Sequence, residues 1–221
     1  MTPSDEQTDG RILCIRLSGL GDVVHALNAL ALLRRERPHA RVVWLVEDRF
    51  ADLLKGHPQI DELIAVPRKP WDRMLRNPLR WPPLGSQAGA LAMRLRRMSF
   101  DVSVDFQSSL NSAWLVLAAG AKVRVGFGRG VSREFNTLVQ TRLVDVPTGG
   151  VHRIERDLAL LAPLGIRPQY VAPVLARIGG RDRPAQHKFN PHAAQLIVNP
   201  ASFVFKFPVG NRHQLILDQL I

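Results

Sequence analysis

The sequence predicts an α/β fold, a parallel sheet flanked by helices, and three observations carry that prediction. Arg11–Leu17 is a short apolar run that ends in the small-residue turn Ser18-Gly-Leu-Gly21, and a helical pattern follows at once. The alternation then repeats through Arg41–Val46, Arg49–Lys55 and Asp61–Val66. Strands separated by helices select a parallel sheet with right-handed crossovers. Finally, 221 residues at 46% hydrophobic content are enough for one full core and a fragment of a second.

Each element has a local reason. Arg11–Leu17 is dominated by Ile and Leu, as a buried strand requires. Val23–Arg37 carries apolar residues at helical spacing, gathers Arg34, Arg35 and Arg37 in its last turn, and stops before Pro38. Cations there complement the helix dipole. Arg41–Val46 and Asp61–Val66 read as the second and third strands, with a short helix Arg49–Lys55 closed by His57-Pro58 between them. Pro67–Gly85 contains Pro67, Pro70, Pro78, Pro82 and Pro83, which argues against a long regular element. Ala88–Met98 resumes as a helix, Phe100–Asp105 is a strand, and Leu110–Ala119 is a small-residue helix. Val123–Val125 and Arg142–Val146 are short strands, and Val151–Leu164 is an amphipathic helix ended by Gly165. Ile166–Pro191 reads as a Pro/Gly-rich linker with at most one strand, Tyr170–Ala176. Ala194–Asn199 starts a new strand and Val209–Leu220 has a helical pattern. The organisation expected is a polar tail 1–10, a domain 11–165, a linker 166–191 and the start of a second domain at 192–221.

Charge narrows the partners. Thirty Lys and Arg against nineteen Asp and Glu leave a net +11. Such a surface attracts polyanions: nucleic acid, anionic lipid or phosphorylated substrates. The single cysteine, Cys14, lies inside the first apolar run and reads as a small buried hydrophobe in a reducing compartment. No apolar run approaches the ~20 residues of a membrane span, and residues 1–10 do not resemble a signal peptide. A cytoplasmic protein, with peripheral contact to the inner membrane surface, is the expectation.

Ligands of open parallel sheets bind outside the carboxyl ends of the strands. The first turn delivers Asp22 and His25 to that edge. Asp22 reads either as a helix-capping carboxylate or as a proton acceptor. Ser18, Gly19 and Gly21 shape the turn, short of a full G-x-G-x-x-G fingerprint, so a dinucleotide site is poorly supported. Residues 66–98 hold eight basic side chains against one acid, Asp72, with Trp71 and Trp81 interleaved. This segment reads as a mobile loop gripping phosphates, with indoles on sugar faces or at a membrane boundary, or as a solvated basic face. RNA is a third occupant, but no recognised nucleic-acid module is present. Arg68 and Arg73 are the candidate phosphate contacts. No Cys/His cluster has metal-site spacing.

Six ordered segments resemble glycosyltransferase family 9, the bacterial lipopolysaccharide heptosyltransferases. They are Ser18-Gly-Leu-Gly-Asp-Val-Val-His25, Val43-Trp-Leu-Val-Glu-Asp-Arg-Phe50, His57-Pro58 with Asp61–Val66, Phe100-Asp-Val-Ser-Val-Asp-Phe-Gln107, Gly126-Phe127 with Arg133-Glu134, and His152-Arg-Ile-Glu-Arg156. A weaker echo lies in Asn199-Pro-Ala-Ser-Phe-Val-Phe-Lys-Phe-Pro208, where the family's tryptophan is absent. The resemblance implies two facing Rossmann-like domains of the GT-B type, acceptor on the first and nucleotide-sugar on the second. It implies heptose transfer from ADP-heptose to the inner core of a lipid A-linked saccharide. No cofactor or metal is implied, and no nucleic acid partner.

By resemblance Asp22 is the general base. Ser18, Gly19, Gly21, His25, Gln107, Arg133, Glu134 and His152 join Arg68 and Arg73 as acceptor contacts. Asn111 stands where the family commonly carries a basic residue. Ser202 and Lys206 match the donor-phosphate turn. Only about 30 residues follow the linker, whereas a second α/β domain needs ~100, so this chain alone is expected to transfer feebly or not at all. The other reading is a non-catalytic module that holds an anionic glycolipid or nucleic acid.

Overall fold

The computed structural model describes residues 10–132, 136–147 and 151–174, together with the backbone of 198–199 and 202–203. The chain divides into two compact units, Met1–Ile178 and Gly179–Ile221. In the second unit the described residues form one antiparallel pair, β7 (Val198–Asn199) with β8 (Ser202–Phe203). The helix expected over Val209–Leu220 lies outside the described residues.

The first unit is built on a six-stranded sheet with β1 (Arg11–Ile15), β2 (Arg41–Glu47), β3 (Glu62–Val66), β4 (Val102–Asp105), β5 (Val123–Phe127) and β6 (Arg142–Val144). Its order is β3-β2-β1-β4-β5-β6 and every neighbouring pair is parallel. The chain walks outward from β1 to β3 and returns to β4 on the other side of β1. That reversal makes a topological switch point between β1 and β4, and open α/β sheets bind their ligands outside the carboxyl edge at such a point.

Strand alternation sorts the layers. Leu13, Ile15, Leu17, Val43, Leu45, Ile64 and Val66 share one buried cluster with Trp71, Leu95, Leu115 and Val116. That face carries α3 (Arg68–Leu75), α4 (Trp81–Arg97) and α5 (Leu110–Ala119). The intervening residues Ile12, Cys14 and Arg16 point the other way, as period 2 demands. There α1 (Leu20–Glu36) packs against α6 (Arg153–Ala159). Cys14 is fully buried and burial pushes its thiol up to about 12, which fits a small hydrophobe.

The short helix after β2 is a 3₁₀ turn, Asp48–Phe50, running into α2 (Ala51–Leu54). The amphipathic segment beyond residue 150 divides into α6 and a 3₁₀ turn, Ala162–Leu164, and Gly165 closes it at φ 76°. This is the left-handed cap that glycine adopts without strain.

Two expectations are corrected. The Pro-rich segment 67–85 is largely helical: α3 covers 68–75 and α4 begins at Trp81. Pro70, Pro82 and Pro83 all fall in first turns, where no intrahelical partner awaits the missing N–H. Residues 170–174 form no strand. Pro173 cannot donate to a ladder, and the Val174 carbonyl instead accepts a bond from His57 Nε2 at 2.7 Å.

Trp71 is a second surprise. It is 9% exposed, tilted against Trp114 at 5.6 Å, and its Nε1 donates to Gln87 Oε1 at 2.9 Å. It therefore belongs to the core and is not available to a sugar face. Trp81 stays 56% exposed, with Nε1 donating to the Leu75 carbonyl. Trp71→Ala is expected to lower stability by about 3–5 kcal/mol in urea unfolding, and Trp81→Ala by less than about 1 kcal/mol. Equal losses would remove Trp71 from the core.

Candidate functional site

β1 ends one residue before a charge. Arg16 is only 3% exposed, although it follows an apolar strand. Its Nη1 donates to the Phe106 carbonyl after β4, and its Nη2 pairs with Asp22 Oδ2. Arg153, the first residue of α6, pairs through Nε with the other oxygen, Asp22 Oδ1, at 3.0 Å. The Asp22 carboxylate is thus held between two guanidiniums while remaining 28% exposed. Burial works against the Arg16 charge, and Asp22 and Asp157 counter it.

Asp22 does not cap the helix. Gly19 occupies the cap at φ 84°, so Asp22 is the third helical residue. A Cβ on Gly19 would stand 2.5 Å from Asp22 Oδ2. The glycine therefore supplies both the positive φ and the room the carboxylate needs. Gly21 lies inside α1 with no atom within 4 Å of its own Cβ position, so close packing does not explain it. That corrects its expected role in the turn.

Gln107 is a tie across the switch point. Its Oε1 accepts from the Leu17 and Ser18 N–H groups at 3.2 Å, and its Nε2 donates to Ser18 Oγ at 3.0 Å. Ser18 and Gln107 thus hold the turn in shape. Asp105, fully buried at the end of β4, anchors Gln107 in turn. Its Oδ1 accepts from Gln107 N and Ser108 N, and its Oδ2 from Ser112 Oγ and Asn136 Nδ2 at 2.8 Å. Burial pushes this carboxyl up and those donors oppose the shift.

His25, one turn into α1, meets His152 edge-on at 5.6 Å. Burial and His152 lower its pKa, so the imidazole is neutral at neutral pH. His152 caps α6, its Nδ1 accepting from Ile154 N at 3.3 Å. Asp22, His25, His152, Ser18, Gly19 and Gln107 therefore gather around one edge.

The arginines do not gather there. Arg68 approaches the buried Glu47 at the end of β2 (3.8 Å), which Arg49 also pairs at 2.8 Å. Arg73 lies exposed on α3. Arg94 instead pairs with Glu62 at the opposite, amino edge of the sheet. There Arg11, Arg41, Arg94 and Arg97 line an open depression of about 500 Å³. Arg96 lies over Gly120 at the end of α5. The expected single basic loop over 66–98 is split between two ends of the molecule, because α4 runs the length of the sheet. Arg133, Glu134 and Lys206 lie outside the described residues, and of Ser202 only a strand position is described. Among the described residues no group of three or more His, Cys, Asp or Glu is placed to hold a metal.

Sequence reasoning passed over Arg16, Arg153, Asp157 and Asp105. A signal existed for two of them. Arg16 interrupts an apolar strand run, and Asp157 falls on the apolar face set by Ile154, Leu158 and Leu161.

Asp157 is buried to 1% exposure and its carboxyl is pushed from 3.8 to about 7 by desolvation, against the pull of Arg16 and Arg153. The unfolded chain releases this proton near pH 4, the folded chain near pH 7. The stability it lends is complete below about pH 4 and drains away as pH rises to about 7. Asp157→Asn is therefore expected to gain on the parent across that window, by roughly 1.4 kcal/mol per unit of displaced pKa. Denaturant midpoints of both proteins at a series of pH values check this, and a constant gap would refute it.

Comparison with known proteins places this geometry. The family model described as glycosyltransferase family 9 (heptosyltransferase) matches residues 88–208. Lipopolysaccharide heptosyltransferase 1 of Pseudomonas aeruginosa is 32% identical over 152 residues, 69% of this chain and 42% of that protein. Lipopolysaccharide core heptosyltransferase OpsX of Haemophilus influenzae is 29% identical over 155 residues, covering 70% and 40%. The solved structure of Escherichia coli heptosyltransferase WaaC with ADP-2-deoxy-2-fluoro heptose superposes with TM-score 0.64 at 25% identity, over 74% of this chain and 51% of that one. The chain thus spans less than half the length of these curated relatives. Its parallel sheet flanked by helices matches the corresponding part of that solved heptosyltransferase. With the family model covering more than half of its residues, the chain belongs to glycosyltransferase family 9, the heptosyltransferase family.

Proposed function

We propose that the protein carries out heptosyl transfer from a nucleotide-sugar donor, ADP-heptose, to a phosphorylated lipid A-linked saccharide, with Asp22 as general base. The single observation that carries this reading is the part-exposed Asp22 carboxylate at the carboxyl edge of β1, beside the β1–β4 switch point. The relatives' names supply the substrate class: one is a lipopolysaccharide heptosyltransferase and a solved neighbour holds an ADP-heptose analogue. The nucleotide-sugar is a substrate, so the reading calls for no resident cofactor.

The chemistry follows from the pairings. The acceptor hydroxyl oxygen bonds to the anomeric carbon, and the bond to the nucleoside diphosphate breaks with its electron pair. Asp22 takes the hydroxyl proton. Asp22 takes it late, when the attacking oxygen has become acidic. Arg16 and Arg153 fix its orientation, and Gly19 keeps the approach clear. Arg68, near Glu47 at the end of β2, and the exposed Arg73 on α3 suit acceptor phosphate groups.

The tip between α3 and α4 suits the lipid that bears the acceptor. Leu75, Leu79 and Trp81 stand exposed there, and Arg73, Arg76 and Arg80 interleave with them. No acid occurs between Asp72 and Asp101. Exposed apolar side chains ringed by cations fit an anionic membrane surface. No helix among the described residues is long and apolar enough to cross a membrane.

Asp22→Asn is expected to cut transfer by roughly 10²–10⁴-fold in an active, full-length version assayed with ADP-heptose and acceptor, and near-normal turnover would remove Asp22 from the chemistry. Sedimentation with vesicles carrying the phosphorylated glycolipid checks the partner assignment. Arg68→Ser with Arg73→Ser weakens binding by about tenfold or more at low salt, and Leu79→Ser with Trp81→Ser weakens binding to anionic vesicles lacking the saccharide. Undiminished binding by either pair would overturn the corresponding contact.

A further inference from the structure

Asp157 is the group that the mechanism above leaves unused. It is buried to 1% exposure, and neither carboxylate oxygen has a hydrogen-bond partner in the structure. Buried polar atoms are satisfied in the great majority of cases. A bare carboxylate in a core needs a reason. It stands one helical turn after Arg153, on the same side of α6. That side packs on α1, the helix that carries Asp22. Arg16, from the end of β1, pairs with Asp22, feels the charge of Asp157 without bonding to it, and is itself buried with an unpartnered Nε. Two carboxylates and two guanidiniums therefore lie within electrostatic reach of one another where α6 meets α1, two of the pairs being direct.

We propose that Asp157 is a positioning carboxylate that shares the Arg16 and Arg153 guanidiniums with Asp22 across the α1–α6 contact, so that its charge state sets how firmly those cations hold Asp22. When Asp157 carries a proton, both guanidiniums act on Asp22 alone and pin its two oxygens. When Asp157 is ionised, the same cations are divided between two anions, and Asp22 is freer to accept the acceptor's proton. The remaining charged and titratable groups on these elements are Arg11 on β1, His25, Arg34, Arg35 and Glu36 on α1, His152 at the start of α6, and Glu155 and Arg156 on α6; burial lowers the pKa of His25. Burial raises Asp157 to about 7, and the Asp22 charge contributes to that rise, so both states are populated near neutrality. Turnover then rises as pH climbs through this range.

The experiment has two arms, and only the kinetic one rests on Asp22 being the base. In the first, ¹³C-labelled aspartate carboxyls of the 221-residue chain are titrated by NMR. The Asp157 signal is expected to titrate near neutrality and to move down by about half a pH unit or more in Asp22→Asn, because a neighbouring negative charge has been removed. An Asp157 midpoint in the ordinary carboxylate range, or one unmoved by Asp22→Asn, overturns the proposal whatever the enzyme's reaction. In the second, kcat for transfer by an active, full-length version is followed against pH. Asp157→Asn, locked uncharged at nearly the same shape, is expected to lose the rising limb near neutral pH and about tenfold in kcat above it, with KM for both substrates changing less than about twofold. A merely structural role would lower activity without altering the profile's shape, and an unchanged limb in Asp157→Asn also overturns the proposal. If Asp157→Asn does not fold, the Asp22→Asn titration decides alone.

Discussion

A guanidinium sealed beneath the carboxyl edge organises the rest of this domain. Arg16 leaves β1 on the face opposite the main hydrophobic cluster, and burial alone would make its charge very costly. It is stabilised by reaching three ways at once: to the Phe106 carbonyl after β4, to Asp22 on α1, and electrostatically to Asp157 on α6. A central strand, the strand across the switch point and both helices of one face are thereby tied to a single cation. Replacing one partner would leave the others with an uncompensated charge, so the arrangement is cooperative rather than a sum of pairs.

The same edge is held from the other side by neutral hydrogen bonds. Asp105 and Gln107 close the loop after β4 onto Leu17 and Ser18. The first turn is thus braced by β4 as well as shaped by its own Gly19. Together the two ties present Asp22 as a part-exposed group on a rigid base. Positioning of that kind, more than an intrinsically strong base, suits a reaction in which the proton leaves late.

Much of this was legible in advance. The run from Arg11 to Leu17, the turn and the helix behind it appear where hydrophobic periodicity put them, and β2, β3, β4 and α5 follow to within a few residues. The Pro-rich segment misled because proline was weighed as a breaker, whereas Pro82 and Pro83 sit where a helix has no partner for the N–H. The indole at Trp71 misled because an aromatic among arginines looks exposed until its partners, Trp114 and Gln87, arrive from elsewhere in the chain. Asp105 was legible only in part: its bonds to Gln107 and Ser108 are local, whereas Asn136 reaches it from far along the chain.

Periodicity, turn glycines and the spacing of charged residues determined the fold class, the order of the strands along the chain and the placing of Asp22 at a strand-to-helix junction. These are properties of neighbours in sequence, and local sterics and burial settle them. Tertiary structure alone decided that Arg16, Arg153 and Asp157 surround that carboxylate, that Gln107 braces the turn, and that the arginines of 66–98 part company between the two edges of the sheet. Such outcomes depend on which helices lie on which face and how far each one runs. Long-range packing chooses them, and no window of the chain contains the information.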